Sequence, residues 1–309
     1  MTYHNFETEV MTLVKDKLPE GYSAIIKRIC KNNGIVLHGL IINNGHTNIS
    51  PTIYLDYYYD EYDKGRSIEE LADEIMVQYE RFSLDDDFDI SVFTDYEKCK
   101  ENISYKLINY EKNKELLKDV PHIIYLDLAI VFYCLLTNDV LQSSSILIRN
   151  SHLKLWDISV DTLFEVASGN TPKLLQSDIR NLSDIVNDYY KKNSSWSEEG
   201  DSGVVTAEEQ EQLIPDSPMY VLTNKIKLYG ACCILYKNLL EEFAKKIDKN
   251  LYIIPSSIHE VLLIPDSEEY TKSSLSELVR EVNATQLEPE EILSDHVYYY
   301  SMKDDAITY

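Results

Sequence analysis

Met219-Tyr220-Val221-Leu222-Thr223-Asn224, Gly230-Ala231-Cys232-Cys233-Ile234-Leu235-Tyr236, Leu251-Tyr252-Ile253-Ile254-Pro255 and Ile258-His259-Glu260-Val261-Leu262-Leu263-Ile264 are the runs on which the fold turns. Each is short, apolar and rich in β-branched or aromatic residues, so each reads as a strand. After the second run, Leu239, Leu240, Phe243, Ala244 and Ile247 make a helical stripe; after the fourth, Leu275, Leu278, Val279 and Val282 make another, with Ser274 and Glu277 as a capping box. A strand from Asp295 to Tyr300 closes the series. The pattern is ββα-ββα-β. Right-handed crossovers after two hairpins place both helices on one side, which predicts a two-layer α+β unit with a mixed sheet over residues 219–309.

Upstream, Phe6, Val10, Leu13, Val14 and Leu18 share a helical face that Pro19 and Gly21 end. Tyr22 to Cys30 and Ile35 to Ile42 flank Asn32-Asn33-Gly34, a hairpin signal because asparagine and glycine tolerate positive φ. With Asn43-Asn44-Gly45 and a strand near Thr52 to Leu55, residues 22–55 read as an antiparallel meander. Ser67 and Glu70 cap a helix lined by Ile68, Leu71, Ala72, Ile75, Tyr79 and Phe82. Ile123 to Leu136 reads as a strand buried on both faces, with a helix as the alternative. Ser159 caps a helix that Gly169 is placed to end, and Ile179, Leu182, Ile185, Val186 and Tyr189 form one more helical stripe. Residues 191–218 are polar, glutamate-rich and aperiodic, so they read as an acidic linker or long loop between an N-terminal α+β domain, 1–190, and the C-terminal one, 219–309.

The chain carries 309 residues and a net charge of -24. Residues 51–100 contribute 15 acids against 5 bases, and 251–309 contribute 12 against 3. Such a field repels nucleic acid and anionic membrane surfaces and attracts a basic protein surface. The start Met1-Thr2-Tyr3-His4-Asn5-Phe6-Glu7 has neither a basic head nor an apolar run, and the cysteines at 30, 99, 134, 232 and 233 are odd in number. Both features fit a cytoplasmic protein with reduced thiols.

The tract Tyr54 to Asp63 crowds aromatics with carboxylates. Asp56, Tyr57, Tyr58, Tyr59, Asp60, Glu61 and Asp63, with Asp85, Asp86 and Asp87 further on, are the candidate partner-binding residues. They could present phenol rings and charge to a basic partner; alternatively the tract is a short helix with buried rings and wet hydroxyls. The aspartates at 85–87 lack the glycine and distal glutamate of a calcium loop and read as a solvated turn. No paired-cysteine or His-Glu-x-x-His spacing calls for a metal, and no glycine-rich loop calls for a nucleotide cofactor.

Ser256-Ser257-Ile258-His259-Glu260, together with Asn283, Asp295 and His296, holds the ingredients of nucleophilic hydrolysis. Ser257, His259, Glu260, Asp295 and His296 are therefore the candidate catalytic residues. Against them, His259 and Glu260 would point to opposite faces of a strand, and no nucleophile elbow is present.

The segments Asn33 to Leu40, Ile49 to Leu55, Pro218 to Asn224, Ile254 to Val261, Glu281 to Gln286 and Leu293 to Tyr298 resemble an uncharacterised family of gut Firmicutes. The resemblance spans nearly the whole chain and implies carriage on mobile elements, with no activity or catalytic residue attached. Three functions remain as expectations. The first is a non-enzymatic acidic protein-binding module, in its most specific form a nucleic-acid mimic that inhibits a host defence nuclease. The second is a hydrolase built on Ser257, His259 and Glu260, and the third an intracellular scaffold with no defined site.

Overall fold

The computed structural model describes residues 1–48, 50–83, 89, 91–136, 144–194, 218–255 and 257–309. Asp85, Asp86, Asp87, Ser256 and most of the expected linker lie outside them. The chain divides into two compact units, Met1–Val92 and Phe93–Tyr309.

In the first unit, helix α1 (Tyr3–Lys17) is followed by strands β1 (Ser23–Cys30), β2 (Val36–Asn43) and β3 (Thr52–Tyr54), then by helices α2 (Leu55–Asp63) and α3 (Ile68–Phe82). The strands pair antiparallel in chain order, as the meander reading expects. Asn33 and Gly34 take φ of 58° and 72° at the first turn, the left-handed region that their residue types make cheap. Phe6, Val10 and Val14 of α1 and Leu71, Ile75 and Tyr79 of α3 close over Leu40, Ile42 and Ile53 of the sheet. Ser67 caps α3 by accepting a hydrogen bond from the Glu70 amide at 3.2 Å.

Tyr58, 5% exposed, belongs to this core. Burial first, then the charges of Glu74 and Tyr57, pushes its phenol up to about 12. The fold thus favours the neutral phenol, so Tyr58's contribution to stability is intact below about pH 10, the unfolded value. It is lost as pH rises through about 12. An alkaline titration followed by circular dichroism should show Tyr58→Phe surviving to higher pH than the parent; coincident curves would refute the assignment.

The second unit holds two antiparallel sheets. In one, β4 (Ile103–Asn109) lies along one edge of β6 (Leu128–Leu136), while β5 (His122–Tyr125) and β7 (Ser144–Leu147) share its other edge end to end. The apolar run from Ile123 is therefore a hairpin and not one strand. It turns at Leu126 and Asp127, with Leu126 at φ 57°. Helices α4 (Asn150–Trp156), α5 (Val160–Leu174) and α6 (Leu182–Ser194) follow, and β8 (Ser177–Asn181) lies between the last two. Ser159 caps α5 as expected, but Gly169 sits inside the helix, which runs on to Leu174. Ile179, expected in a helical stripe, lies in β8 instead.

The other sheet has the order β13-β12-β10-β11-β9-β8. Its strands are β9 (Tyr220–Asn224), β10 (Leu251–Ile254), β11 (Val261–Pro265), β12 (Tyr298–Ser301) and β13 (Ala306–Thr308) after β8, interleaved with α7 (Leu239–Ile247) and α8 (Lys272–Thr285). The α+β class holds, and the detail of the repeat is corrected. Gly230–Leu235 is a short tight helix and not a strand, so β9 has no hairpin partner after it and pairs with β8 and β11. That pairing joins residues on both sides of 191–218, so the division expected there is replaced by one near residue 92.

The second repeat does form its hairpin, with Ile253 opposite Leu263. Sheet parity then separates the helices. Leu251, Ile253, Val261 and Leu263 face the main core with Leu240, Phe243 and Ala244 of α7, whereas Ile254 and Ile264 meet Leu275 and Val279 of α8. Strands β9 and β11, from which the two crossovers start, run antiparallel, and both crossovers pass the same way along the sheet, so two paths of one hand lie on opposite faces. Thr271, not Ser274, caps α8, through a reciprocal box with Ser274.

Candidate functional site

The acidic aromatic tract is α2, and the core divides its residues. Asp56 Oδ2 accepts the His38 amide at 2.8 Å, and Oδ1 stands 3.5 Å from His38 Nδ1. Tyr59 donates its hydroxyl to the Met1 carbonyl at 3.0 Å, with its ring edge-on to Tyr3 and Phe6. Glu61 lies 2.8 Å from Lys64 and 3.7 Å from Arg66, and the Lys64 hydrogen bond holds its carboxyl below the usual range. Arg66 reaches on to Glu74 at 2.9 Å. Asp56, Tyr58, Tyr59 and Glu61 are thus tied into the unit. Tyr57, 55% exposed, and the exposed Asp60 and Asp63 face outward.

The serine and histidine candidates fall into two separate arrangements. Ser257 and His259 lie in the turn before β11, so the strand-parity objection to His259 and Glu260 does not apply. Ser257 Oγ accepts the His259 amide at 3.0 Å. His259 Nδ1 accepts the Tyr229 amide at 3.2 Å, which places the ring proton on Nε2, 3.9 Å from Glu291. The imidazole stacks on Tyr229 at 5.6 Å and 15°. Its one lone pair is occupied by backbone, so it cannot take a proton from Ser257. Glu260 supplies its carbonyl to the Ser257 amide at 3.3 Å. These hydrogen bonds build the turn.

The second arrangement surrounds Asp127, a residue the sequence reading did not select. Its carboxylate accepts Ser294 Oγ at 2.6 Å, Tyr298 Oη at 2.7 Å and His296 Nδ1 at 3.0 Å. Ser294 Oγ in turn accepts the His296 amide at 2.9 Å. Asp295 turns away to accept from the Asn283 amide group at 2.7 Å, and Asn283 also donates to the Ser294 carbonyl. Burial, then the Asp127 charge, drives the Tyr298 phenol well above its ordinary range, so it stays a donor. One signal pointed here: an acid inside an apolar run must find donors when the run is buried. Of the two candidate histidines, His296 has a carboxylate within hydrogen-bond distance, at 3.0 Å, whereas Glu291 stands 3.9 Å from His259.

Among the described residues no group of three or more histidine, cysteine or carboxylate side chains is placed to hold a metal. No described helix is long and apolar enough to cross a membrane. All five cysteines are free thiols.

Fold and surroundings together define an acidic α+β protein of two units with polar clusters at its turns. The chain belongs to a family of unknown function (DUF5688), matched over residues 3–302. No curated protein and no solved structure matches it.

Proposed function

We propose that the protein is a non-enzymatic binding module whose first unit engages a basic protein surface through the outward sides of α2 and α3. The observation that carries the reading is the exposure of Asp60, Asp63, Glu69, Glu70, Tyr57 and Val77 on helices whose inner sides are locked into a core. Residues 56–80 hold nine acids against two bases. Exposed carboxylates on a preordered helix attract a cationic partner at range, and the Tyr57 ring and Val77 side chain supply contact once it arrives. In its most specific form, the partner is a nuclease whose cationic groove accepts carboxylates in place of phosphates.

The test uses the full chain, immobilised, against a nuclease with a strongly basic groove. Reversing Asp60, Glu69 and Glu70 to lysine should slow association by about tenfold or more, as raised salt should. The substituted side chains are exposed, so the fold is retained. Capture that is indifferent to both changes would refute the reading.

A further inference from the structure

Seven histidines occur in the chain, and the polar contacts of six of them show which ring nitrogen is left available. His259 Nδ1 and His152 Nδ1 both accept backbone amides, of Tyr229 and Arg149, which leaves the proton on Nε2. His4 lies 3.7 Å from Glu7 and His38 3.5 Å from Asp56, both beyond good hydrogen-bond geometry. His122 Nδ1 sits 2.9 Å from the Val120 carbonyl, a neutral acceptor. His296 shares with His122 an Nδ1 that faces an acceptor, but here the acceptor is charged. Its Nδ1 meets the Asp127 carboxylate, which can only accept, so the proton resides on Nδ1 and the lone pair on Nε2.

The support behind this pair is rigid and the front is open. Asp127 is 14% exposed and is fixed by Ser294 and Tyr298, both fully buried, while the His296 side chain is 54% exposed. Backbone also positions the two partners. The Tyr110 amide donates to the Asp127 carbonyl, and the His296 amide donates to Ser294. Beside the imidazole stands Tyr309, its ring centroid 5.4 Å away and itself 54% exposed.

We infer that Asp127 and His296 form a reactive dyad in which His296 Nε2 takes acyl groups from small neutral aromatic esters, with Asp127 as its positioning residue. The Nε2 lone pair bonds to the ester carbonyl carbon, and the bond to the leaving oxygen breaks with its electron pair on that oxygen. The ring's added positive charge is relieved as the Nδ1 proton passes to Asp127 or to water. Water then bonds to the acyl carbon and gives up a proton to solvent, the carbon–Nε2 bond breaks with its electron pair on Nε2, and the Nδ1 proton returns from Asp127 or water, which releases the acid and restores the dyad. Ser294 is not the nucleophile: its hydroxyl donates to Asp127 and is fully buried. A neutral donor is chosen because 12 acids against 3 bases over 251–309 repel an anionic one. An aromatic ester has the Tyr309 face to pack on. This inference concerns the second unit and stands independently of the proposed binding role of the first.

The test treats the full chain with p-nitrophenyl acetate and with diethyl pyrocarbonate and maps modified histidines by peptide mass spectrometry. His296 should be acylated about tenfold faster than the exposed His46, and Asp127→Asn should remove that advantage. His296→Gln, at a half-exposed side chain, should abolish the fast phase with the fold intact, and it serves if Asp127→Asn does not fold. Nitrogen NMR should find neutral His296 with its proton on Nδ1 and His259 with its proton on Nε2. Equal rates at His296 and His46, a rate unaffected by Asp127→Asn in a folded protein, or an Nε2 proton on neutral His296 would each overturn the inference.

Discussion

Replacing Gly230 with alanine is expected to destabilise the second unit by about 3 kcal/mol, the upper part of the range for overpacking a dense interior. A Cβ at this position would stand 2.3 Å from Thr223 Oγ1, 2.5 Å from the His259 carbonyl oxygen and 2.8 Å from the Asn224 amide nitrogen. Two of those three atoms are backbone, and the third is held, since Thr223 donates its hydroxyl to that same carbonyl at 2.8 Å. Asn224, fully buried, bonds Leu228 with both ends of its amide, at 2.6 and 3.2 Å, and so fixes the loop leading to Gly230. Relief would require β9 to separate from the turn before β11. Gly169→Ala is the control: a Cβ there meets nothing within 4 Å inside α5, and the exchange should stabilise by about 0.5–1 kcal/mol. Urea unfolding followed by tryptophan fluorescence reads both changes in the second unit, since Trp156 and Trp196 both come after residue 92. A Gly230→Ala midpoint equal to that of the parent would show that the strand and the turn can part without cost.

Gly230 also marks where the sequence pattern misled. Gly230-Ala231-Cys232-Cys233-Ile234-Leu235 is apolar enough for a buried strand, and periodicity cannot separate a buried strand from a buried tight helix. A glycine at its head was the available cue for close approach of backbone to backbone. The hairpin at Leu126 and Asp127 was illegible for the opposite reason. Asp127 is a common turn residue, but the position that must take positive φ is Leu126, where tertiary packing imposes φ 57° on a side chain that rarely adopts it. By contrast, the meander at residues 22–55 was readable because Asn33 and Gly34 are cheap where β1 must reverse into β2. Helices α1 and α3 were readable because their apolar stripes are single-faced. The site followed the same division. His296 was selectable from its neighbours in sequence, but its carboxylate lies 169 positions away along the chain, at a distance no local pattern encodes.

Asp127→Ala should cost the second unit about 3–5 kcal/mol, the penalty for removing one partner of a buried polar cluster. The carboxylate accepts three side-chain hydrogen bonds, and two of the donors, on Ser294 and Tyr298, are fully buried. Asn109 and Asn283 hold the neighbouring chain in place by donating to the Leu293 and Ser294 carbonyls, so the stranded hydroxyls cannot swing out to solvent. Asparagine in place of aspartate keeps one accepting oxygen and should cost less, about 1–2 kcal/mol. A double-mutant cycle separates lost bonds from stranded donors. Tyr298→Phe alone removes a bonded hydroxyl and should destabilise by about 1 kcal/mol, whereas in the Asp127→Ala background it removes an orphan and should be neutral or stabilising. Strict additivity would mean that Tyr298 and Asp127 do not share an energy. In that case the rigidity that aims the His296 imidazole would have to come from the backbone contacts alone.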